Sequence, residues 1–198
     1  MMNDVSIKSV TIKGFRNLKC VENLELSNLN VLIGGNGVGK STLMHFFEML
    51  SWMHQGSNFQ EYVIRNGGGD DQFFMGGLAT PEMTADISME TKDGTYDYGV
   101  SLVYLKAKDR AWVTEERYRF VPPASEEAVP YQVLKEMEAE SQLGRQTDPT
   151  AQKIRKLLQQ FGVFHFYDAA ANATANKRWE VSDSYCLHPD GGNLAPVL

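Results

Sequence analysis

One stretch of the sequence has the residue types and spacing of a phosphate-binding loop. Within "NVLIGGNGVGKSTLMHFFEML" (residues 30–50), Gly34, Gly39, Lys40 and Ser41 satisfy the pattern GxxxxGK[ST]. An apolar run precedes the glycines and an apolar segment with helical spacing follows them, which is the setting that this motif requires. The stretch therefore predicts a phosphate cradle between a buried strand and an amphipathic helix, in preference to a glycine-rich turn with an incidental lysine.

The residue types explain how such a cradle binds a nucleotide. Glycines let the backbone approach the ligand, so that successive N–H groups and the positive end of the helix face the phosphates. The Lys40 ammonium is expected on the β and γ phosphates, the Ser41 hydroxyl on Mg²⁺, and the backbone near Thr42 on the α phosphate. We therefore predict ATP and Mg²⁺ as ligands. The predicted contact residues are Gly34, Gly35, Asn36, Gly37, Val38, Gly39, Lys40, Ser41 and Thr42.

Hydrolysis of the bound nucleotide needs a second acidic residue, normally at the end of a buried strand and often followed by a glutamate. The run "VFHFYD" (residues 163–168) ends at Asp168, but Ala169 follows in place of the glutamate and His165 interrupts the apolar pattern. A strand-ending aspartate that begins a turn is the favoured interpretation. Asp168 is thus a minor catalytic candidate, and no catalytic residue is identified.

The segment "RNGGGDDQFFMGG" (residues 65–77) has the composition of a loop. Gln72 in this loop is a candidate for sensing the metal or the attacking water. Asp70 and Asp71 could approach Mg²⁺, although solvated loop charge is the favoured interpretation.

Apolar periodicity predicts the surrounding elements. Near-alternation predicts strands over residues 4–13 and near 20–27, and "LNVLI" (29–33) predicts a short buried strand. Residues 41–54 have the apolar stripe of a helix. His45 and His54, on or just past that helix, are too far apart to share a face as metal ligands, and we expect them at the surface or partly buried.

The second half of the chain predicts a β meander followed by helices. Alternating segments are joined by turns at "KDG" (92–94) and "KAKDR" (106–110), which is typical of antiparallel strands. Residues 131–143 predict a helix. Asp148 and Pro149 predict the N-cap and first position of another.

Length and composition limit the function classes. A chain of 198 residues with 42% hydrophobic and 22% charged residues is typical of a soluble globular domain. The net charge of −6 argues against a general nucleic-acid-coating surface. The sequence contains neither a signal peptide at its start nor an apolar run of about 20 residues, so we predict a cytoplasmic protein without a membrane segment.

These motifs together resemble the N-terminal half of RecF/SMC-like ATPases, relatives of the ABC transporter nucleotide-binding domain. The resemblance rests on "IKGFRNLKCVENLEL", on the phosphate-loop segment and on the meander, and the closing "LHPDGGNLAPVL" resembles a segment of predicted bacterial RecF-like ATPases. It implies an α/β fold, a P-loop NTPase of ABC/RecF-like type. It also implies that Phe15, Arg16 and Asn17 lie near the base or phosphates, with Arg16 the strongest candidate for a contact.

The resemblance divides the chain into three parts of one N-terminal portion. Residues 1–56 hold strands, P-loop and helix, residues 57–123 the glycine-rich loop and antiparallel strands, and residues 124–198 helices, a strand and a loop tail. Such ATPases bind ATP and Mg²⁺ between two heads that dimerise around the nucleotides. In these relatives the strand that corresponds to residues 163–168 is not the Walker B strand. The resemblance therefore makes Asp168 a weaker candidate for the catalytic carboxylate.

The sequence also departs from this family. The signature Ser-Gly motif, the Walker B Asp-Glu pair and the switch histidine belong to the C-terminal half and are not found here. We expect this segment to bind ATP without hydrolysing it alone, with a homodimer or a partner chain supplying the C-terminal half.

Two other functions stay open. One is a non-hydrolysing nucleotide-binding or interaction module completed by another chain. The other is a small-molecule kinase, which is disfavoured because a meander, not repeated βα units, follows the P-loop. DNA binding is implied by analogy only, and relatives serve DNA repair, chromosome organisation or phage defence.

Overall fold

Six antiparallel strands form the sheet on which the described part of the chain is built. The computed structural model describes residues 5–56, 58–123, 125 and 128–164. The strand order is β2-β1-β3-β4-β5-β6. The strands are β1 (Val5–Phe15), β2 (Leu18–Glu25), β3 (Glu82–Thr91), β4 (Gly94–Leu105), β5 (Arg110–Val121) and β6 (Gln132–Leu134). The predicted strands near 4–13 and 20–27 and the predicted meander are therefore confirmed.

Alternation of side chains gives the sheet one apolar and one polar face. Along β3, Met83, Ala85, Ile87 and Met89 are buried, while the residues between them are at most partly buried. Because successive side chains of a strand point to opposite faces, this pattern places one face of β3 in the core. On the other face, Asp86 of β3 accepts two hydrogen bonds from Nη2 of Arg117, at 2.6 and 2.8 Å.

Among the described residues, three α-helices complete the core. They are α1 (Lys40–His54), α2 (Phe59–Arg65) and α3 (Pro149–Leu158). Phe46 of α1 is fully buried and meets Phe15 of β1 edge-on, with 5.9 Å between ring centroids. The predicted cap of α3 is confirmed, because the Asp148 carboxylate accepts a hydrogen bond from Ala151 N at 3.0 Å. The predicted helix over 41–54 is also confirmed, and the mixture of helices and sheet confirms the α/β class.

The predicted buried strand over 29–33 is wrong. This segment belongs to no strand, and Leu29, Val31 and Ile33 are 84%, 74% and 91% exposed. The segment follows β2 in the chain. Within the described residues, β2 lies at the edge of the sheet and pairs only with β1, and residues 29–33 add no further strand beside it. An apolar run can become a buried strand only where another element packs against it.

The predicted helix over 131–143 is also wrong. Residues 132–134 form β6, which pairs with β5 through Glu116↔Leu134 and the next two pairs. Farther along, the backbones of Glu138 and Val113 exchange hydrogen bonds of 2.8 and 2.9 Å. Pairing with a sheet edge supplies the backbone hydrogen bonds that a helix would otherwise supply, so helical composition does not decide the outcome here.

The C-terminal end of α1 is buried in a polar cluster. His54 is 1% exposed, so the expectation of surface or partial burial is wrong for this residue. Its Nδ1 lies 3.4 Å from Oγ of Ser141, whose hydroxyl donates to Glu116 at 2.7 Å. Burial, and to a lesser extent the nearby Arg155 cation, lowers the pKa of His54 to about 3. His54 is therefore neutral at physiological pH.

No helix among the described residues is long and apolar enough to cross a membrane. Contacts between residues divide the chain into two compact units, residues 1–161 and 162–198. All the strands and helices named above belong to the first unit.

Candidate functional site

The loop of residues 34–39 leads into α1 by a backbone path that glycine makes accessible. Gly37 and Gly39 have φ angles of 81° and 102°, in a region that strains residues with a side chain. A Cβ atom on Gly39 would also lie 2.6 Å from Cδ2 of Leu18. Backbone conformation therefore favours glycine at these two positions, of which Gly39 belongs to the GxxxxGK[ST] pattern and Gly37 is a variable position of it.

The ammonium group of Lys40 lies in the curve of this loop. Its Nζ donates hydrogen bonds to the carbonyl oxygens of Gly34 at 2.8 Å and Gly35 at 2.6 Å. Lys40 begins α1, whose first backbone bond runs from Leu43 N to Gly39 O at 2.9 Å. The N–H groups before Leu43 have no acceptor within the helix, and the helix dipole is positive at this end. Loop, ammonium and helix start thus offer several donors to a phosphate.

A cavity of about 640 Å³ lies beside the start of α1. Four predicted site residues line it, namely Arg16, Asn17, Ser41 and Thr42. The structure does not bring the whole predicted set to this cavity. Val38, Gly39 and Lys40 instead line a smaller, mainly apolar groove of about 200 Å³, which Leu18 and Leu43 also line.

Arg16 is held at the wall of the cavity by the glycine-rich loop. It has a φ of 46°, an uncommon value for a residue with a side chain. Its Nε and Nη2 donate to Oε1 of Gln72 at 3.2 and 3.1 Å, and Nη2 also donates to Asn66 O at 3.1 Å. Its backbone N–H donates to Gln72 O at 3.1 Å. The turn between β1 and β2 is thereby joined to the loop that follows α2.

Gln72 itself is 1% exposed and is not among the described residues that line the cavity. Its Nε2 donates to Asn66 O at 3.0 Å and Gly68 O at 2.9 Å. Both ends of this side-chain amide are thus bonded inside the protein. Contact between Gln72 and a metal or water stays a prediction.

Asp70 and Asp71 line the cavity, with Asp70 also ordering the loop. Oδ1 of Asp70 accepts from Gly77 N at 2.9 Å. Among the described residues, no group of three or more His, Cys, Asp or Glu side chains could hold a metal ion. Mg²⁺ commonly takes one or two protein oxygens and completes its shell with phosphate and water. The Ser41 hydroxyl, in a cavity that also contains two carboxylates, fits that requirement.

A comparison with known families shows which family the chain belongs to. A family model described as an AAA ATPase domain matches residues 6–177, a range that includes the Arg16 turn, the glycine loop and the cavity. The chain belongs to the AAA ATPase domain family. The resemblance to an N-terminal RecF/SMC-like P-loop ATPase region is confirmed. No curated protein matches the chain.

His45 is a cavity residue of this AAA ATPase domain that the sequence analysis did not assign to the site. It lines the cavity together with Ser41, and its Nδ1 lies 3.1 Å from Oε2 of Glu48. Its side chain is 30% exposed, which confirms the expectation of partial burial. The sequence contains a signal for this position of His45. Ser41 is already predicted to contact the ligand, and residues four apart on a helix lie on the same face.

Met75 gives the AAA ATPase domain an apolar rim at the same cavity. It lines the cavity and is 79% exposed, with a φ of 57°. The turn that presents it is closed by a hydrogen bond from Gly76 N to Phe73 O at 3.0 Å. Composition indicates a loop here but not which side chain it presents to the cavity.

Asp168 and His165 lie outside the described residues. The same holds for the closing segment "LHPDGGNLAPVL" and for most of the strand predicted over 163–168, of which 163 and 164 are described and are not strand. The assignment of Asp168 as a minor catalytic candidate therefore stays a prediction.

Proposed function

We propose that this chain is the ATP-binding part of a RecF-like, ABC-type ATPase. In the complete enzyme, ATP binding and hydrolysis would drive dimerisation of two heads. The observation that carries the proposal is the Lys40 ammonium, which lies inside the glycine loop at the positive end of α1, next to the cavity lined by Ser41 and Arg16. Membership in the AAA ATPase domain family supports the same ligand.

The residues divide the work of binding by their chemistry. The backbone N–H groups of 34–39 and of the first turn of α1 surround the phosphates. Lys40 exchanges its two carbonyl acceptors for oxygens of the β and γ phosphates, a favourable exchange because the new acceptors are charged. The Ser41 hydroxyl is a ligand of Mg²⁺, which neutralises phosphate charge when bound. Arg16 and Asn17, which also line the cavity, contribute from the turn between β1 and β2.

The exposed apolar segment 29–33 supports completion of the domain by a C-terminal ATPase half. Its apolar side chains are exposed, and two of them, Leu32 and Ile33, also line the apolar groove. Apolar surface of this kind marks an interface. We propose that the occupant is the C-terminal half, supplied by a longer gene product or by the second chain of a dimer.

The alternative is a non-hydrolysing nucleotide-binding module completed by another chain, and the same exposed segment supports it. A small-molecule kinase is less well supported, because repeated βα units give a parallel sheet and every strand pair of the described sheet is antiparallel. We propose DNA repair or phage defence as the role of the complete enzyme, which the resemblance to RecF-like ATPases supports. DNA contact rests on analogy, and the acidic net charge adds no support.

The test is a paired measurement on the 198-residue chain with Mg²⁺: ATP binding by calorimetry and phosphate release. We expect binding without turnover. Lys40→Ala should abolish measurable binding, since a charge-assisted bond contributes about 1.5–3 kcal/mol and Lys40 makes more than one. Lys156→Ala, which removes an exposed lysine of α3, is the matched control and should bind as the unmodified chain does.

Two results would contradict this account. Unchanged affinity in Lys40→Ala would exclude the glycine loop as the phosphate site. Turnover by the unmodified chain that disappears in Lys40→Ala would mean that a carboxylate of this chain is catalytic, with Asp168 the first to test.

A further inference from the structure

We propose that Gln72 is a positioning residue for Arg16, holding one edge of the guanidinium group so that its other end is directed to the phosphate cavity. This inference rests on the proposed function, because a phosphate is the ligand that Arg16 would meet there. It concerns a residue that does not itself line the cavity, since Gln72 is 1% exposed.

The hydrogen bonds of Arg16 leave one nitrogen uncommitted. Nε and Nη2 form the edge that Gln72 Oε1 accepts, at 3.2 and 3.1 Å, and Nη2 also reaches Asn66 O. Among the described residues, Nη1 of Arg16 has no acceptor. Because a guanidinium group is planar and rigid, fixing the Nε–Nη2 edge also fixes where Nη1 points. Arg16 lines the cavity and Gln72 does not, so Nη1 is the end directed to a ligand.

The orientation of the Gln72 amide is itself determined by its surroundings. Its Nε2 lies against two carbonyl oxygens, of Asn66 and Gly68, and its Oε1 lies against the Arg16 cation. The reversed orientation would place an oxygen against two oxygens and an NH₂ group against a cation, which loses all of these bonds. Gln72 is therefore able to present only an acceptor to Arg16.

The same contact is reinforced through the backbone. Asn66 O accepts from both Arg16 Nη2 and Gln72 Nε2, so the three residues form one closed set of hydrogen bonds. The N–H of Arg16 also donates to the Gln72 carbonyl. Arg16 adopts its φ of 46° within this set. Strained backbone of this kind persists where the surrounding contacts determine it and is frequent at ligand sites.

A preordered arginine improves binding by a known route. A free arginine side chain loses rotamer freedom when it contacts a ligand, and this loss weakens binding. Three hydrogen bonds to protein oxygens hold the Arg16 side chain without any contribution from a ligand. Removing Gln72 should thus weaken nucleotide binding only by way of Arg16.

The experiment is a double-mutant cycle on the 198-residue chain, with ATP affinity measured by calorimetry for Arg16→Ala, Gln72→Met and the double variant. Arg16→Ala should weaken ATP binding roughly 10- to 150-fold, the range of one charge-assisted hydrogen bond. Gln72→Met should weaken it by a smaller factor. The double variant should bind as Arg16→Ala does, because Gln72 has no guanidinium group to position once Arg16 is absent.

Gln142→Met is the matched control, since it removes another buried glutamine whose amide donates to a backbone carbonyl, that of Glu136, away from the cavity. It should leave ATP affinity unchanged. If Gln72→Met does not fold, Arg16→Lys replaces it in the test, because lysine keeps the charge and cannot form the two-nitrogen contact with Gln72. Arg16→Lys should lose most of what Arg16→Ala loses.

Additive effects in the double variant, or normal binding by Arg16→Lys, would overturn the positioning role. So would equal losses in Gln72→Met and Gln142→Met, because general destabilisation would then explain both. Lys40→Ala separates this inference from the proposed function. Lost binding in Lys40→Ala with normal binding in Arg16→Ala would remove only the inference, whereas normal binding in Lys40→Ala would remove the proposed phosphate site.

Discussion

Ser141 donates a hydrogen bond of 2.7 Å to the carboxylate of Glu116, a residue of β5 that is fully buried. The hydroxyl of Tyr98 donates to the same oxygen at 2.6 Å, and Gln142 N donates to the other oxygen at 2.6 Å. Three donors from β4 and from the segment after β6 therefore converge on one carboxylate. This cluster lies at the far end of α1 from the phosphate loop and joins that helix, through His54, to the sheet.

Replacing Glu116 should strongly destabilise the fold. In Glu116→Leu the three donors lose their acceptor while remaining buried, and each unsatisfied group costs about 1–3 kcal/mol. We expect a loss of about 3–5 kcal/mol in the free energy of unfolding, measured by urea denaturation. Glu115→Leu is the control, because Glu115 is partly exposed and pairs with Arg117 and Lys135. Glu115→Leu should lower the free energy of unfolding by less than about 1 kcal/mol. A similar loss in both variants would contradict the structural role of Glu116.

The burial of His54 predicts a pH dependence of stability. Its pKa is about 3 in the folded state and about 6.5 when unfolded, so the unfolded state binds more protons between these values. Stability should therefore fall as the pH falls from 6.5 towards 3, by about 1.4 kcal/mol per pH unit from this group. The imidazole faces the Ser141 hydroxyl and the Arg155 cation. Glu116 is one step farther away, because it accepts the hydrogen bond of Ser141.

His54→Phe removes that contribution while retaining an aromatic ring beside Tyr98, which the imidazole meets edge-on at 5.3 Å. Denaturation of both proteins at pH 6.5 and 5 should show the unmodified chain losing about 2 kcal/mol more than the variant. Equal losses would mean that His54 titrates normally and is not buried as described.

The exposure of the segment before the phosphate loop can be tested with two isoleucines. Ile33 is 91% exposed and Ile12 is fully buried in β1. Ile12→Ala should cost about 2–5 kcal/mol of stability, whereas Ile33→Ala should change it by no more than about 0.5 kcal/mol. Both values come from thermal or urea unfolding of the 198-residue chain. A large cost at Ile33 would restore the buried strand that the sequence predicts.

The Ser41 hydroxyl should determine the metal dependence of binding. Ser41→Ala removes the proposed Mg²⁺ ligand and leaves the loop backbone and Lys40 in place. We expect ATP affinity without Mg²⁺ to be nearly unchanged and the gain on adding Mg²⁺ to fall about tenfold or more, which calorimetry with and without the metal measures. Ser27→Ala, at an exposed serine, is the control. A full Mg²⁺ effect in Ser41→Ala would exclude this serine as a ligand.

Local patterns were sufficient for much of the fold. The strands β1 to β5, the start of α1 at the phosphate loop and the Asp148 cap of α3 all follow from residues near one another in the chain. Short-range backbone geometry decides both a helix cap and the alternation of side chains along a strand. A short sequence segment is therefore sufficient to predict them. The failures are long-range. Pairing of Glu138 with Val113 replaces the helix expected over 131–143, and exposure of 29–33 depends on which element covers it.

The sequence by itself was sufficient to predict the phosphate loop, because GxxxxGK[ST] places backbone donors, ammonium and hydroxyl at fixed positions along one continuous segment. Only the tertiary structure decided that Arg16 meets Gln72, that His45 joins the cavity and that His54 is buried. Arg16 and Gln72 are far apart in the chain, and their contact depends on how the β1–β2 turn lies against the loop after α2. Side-chain contacts across such distances follow from packing, which no local pattern of residue types records.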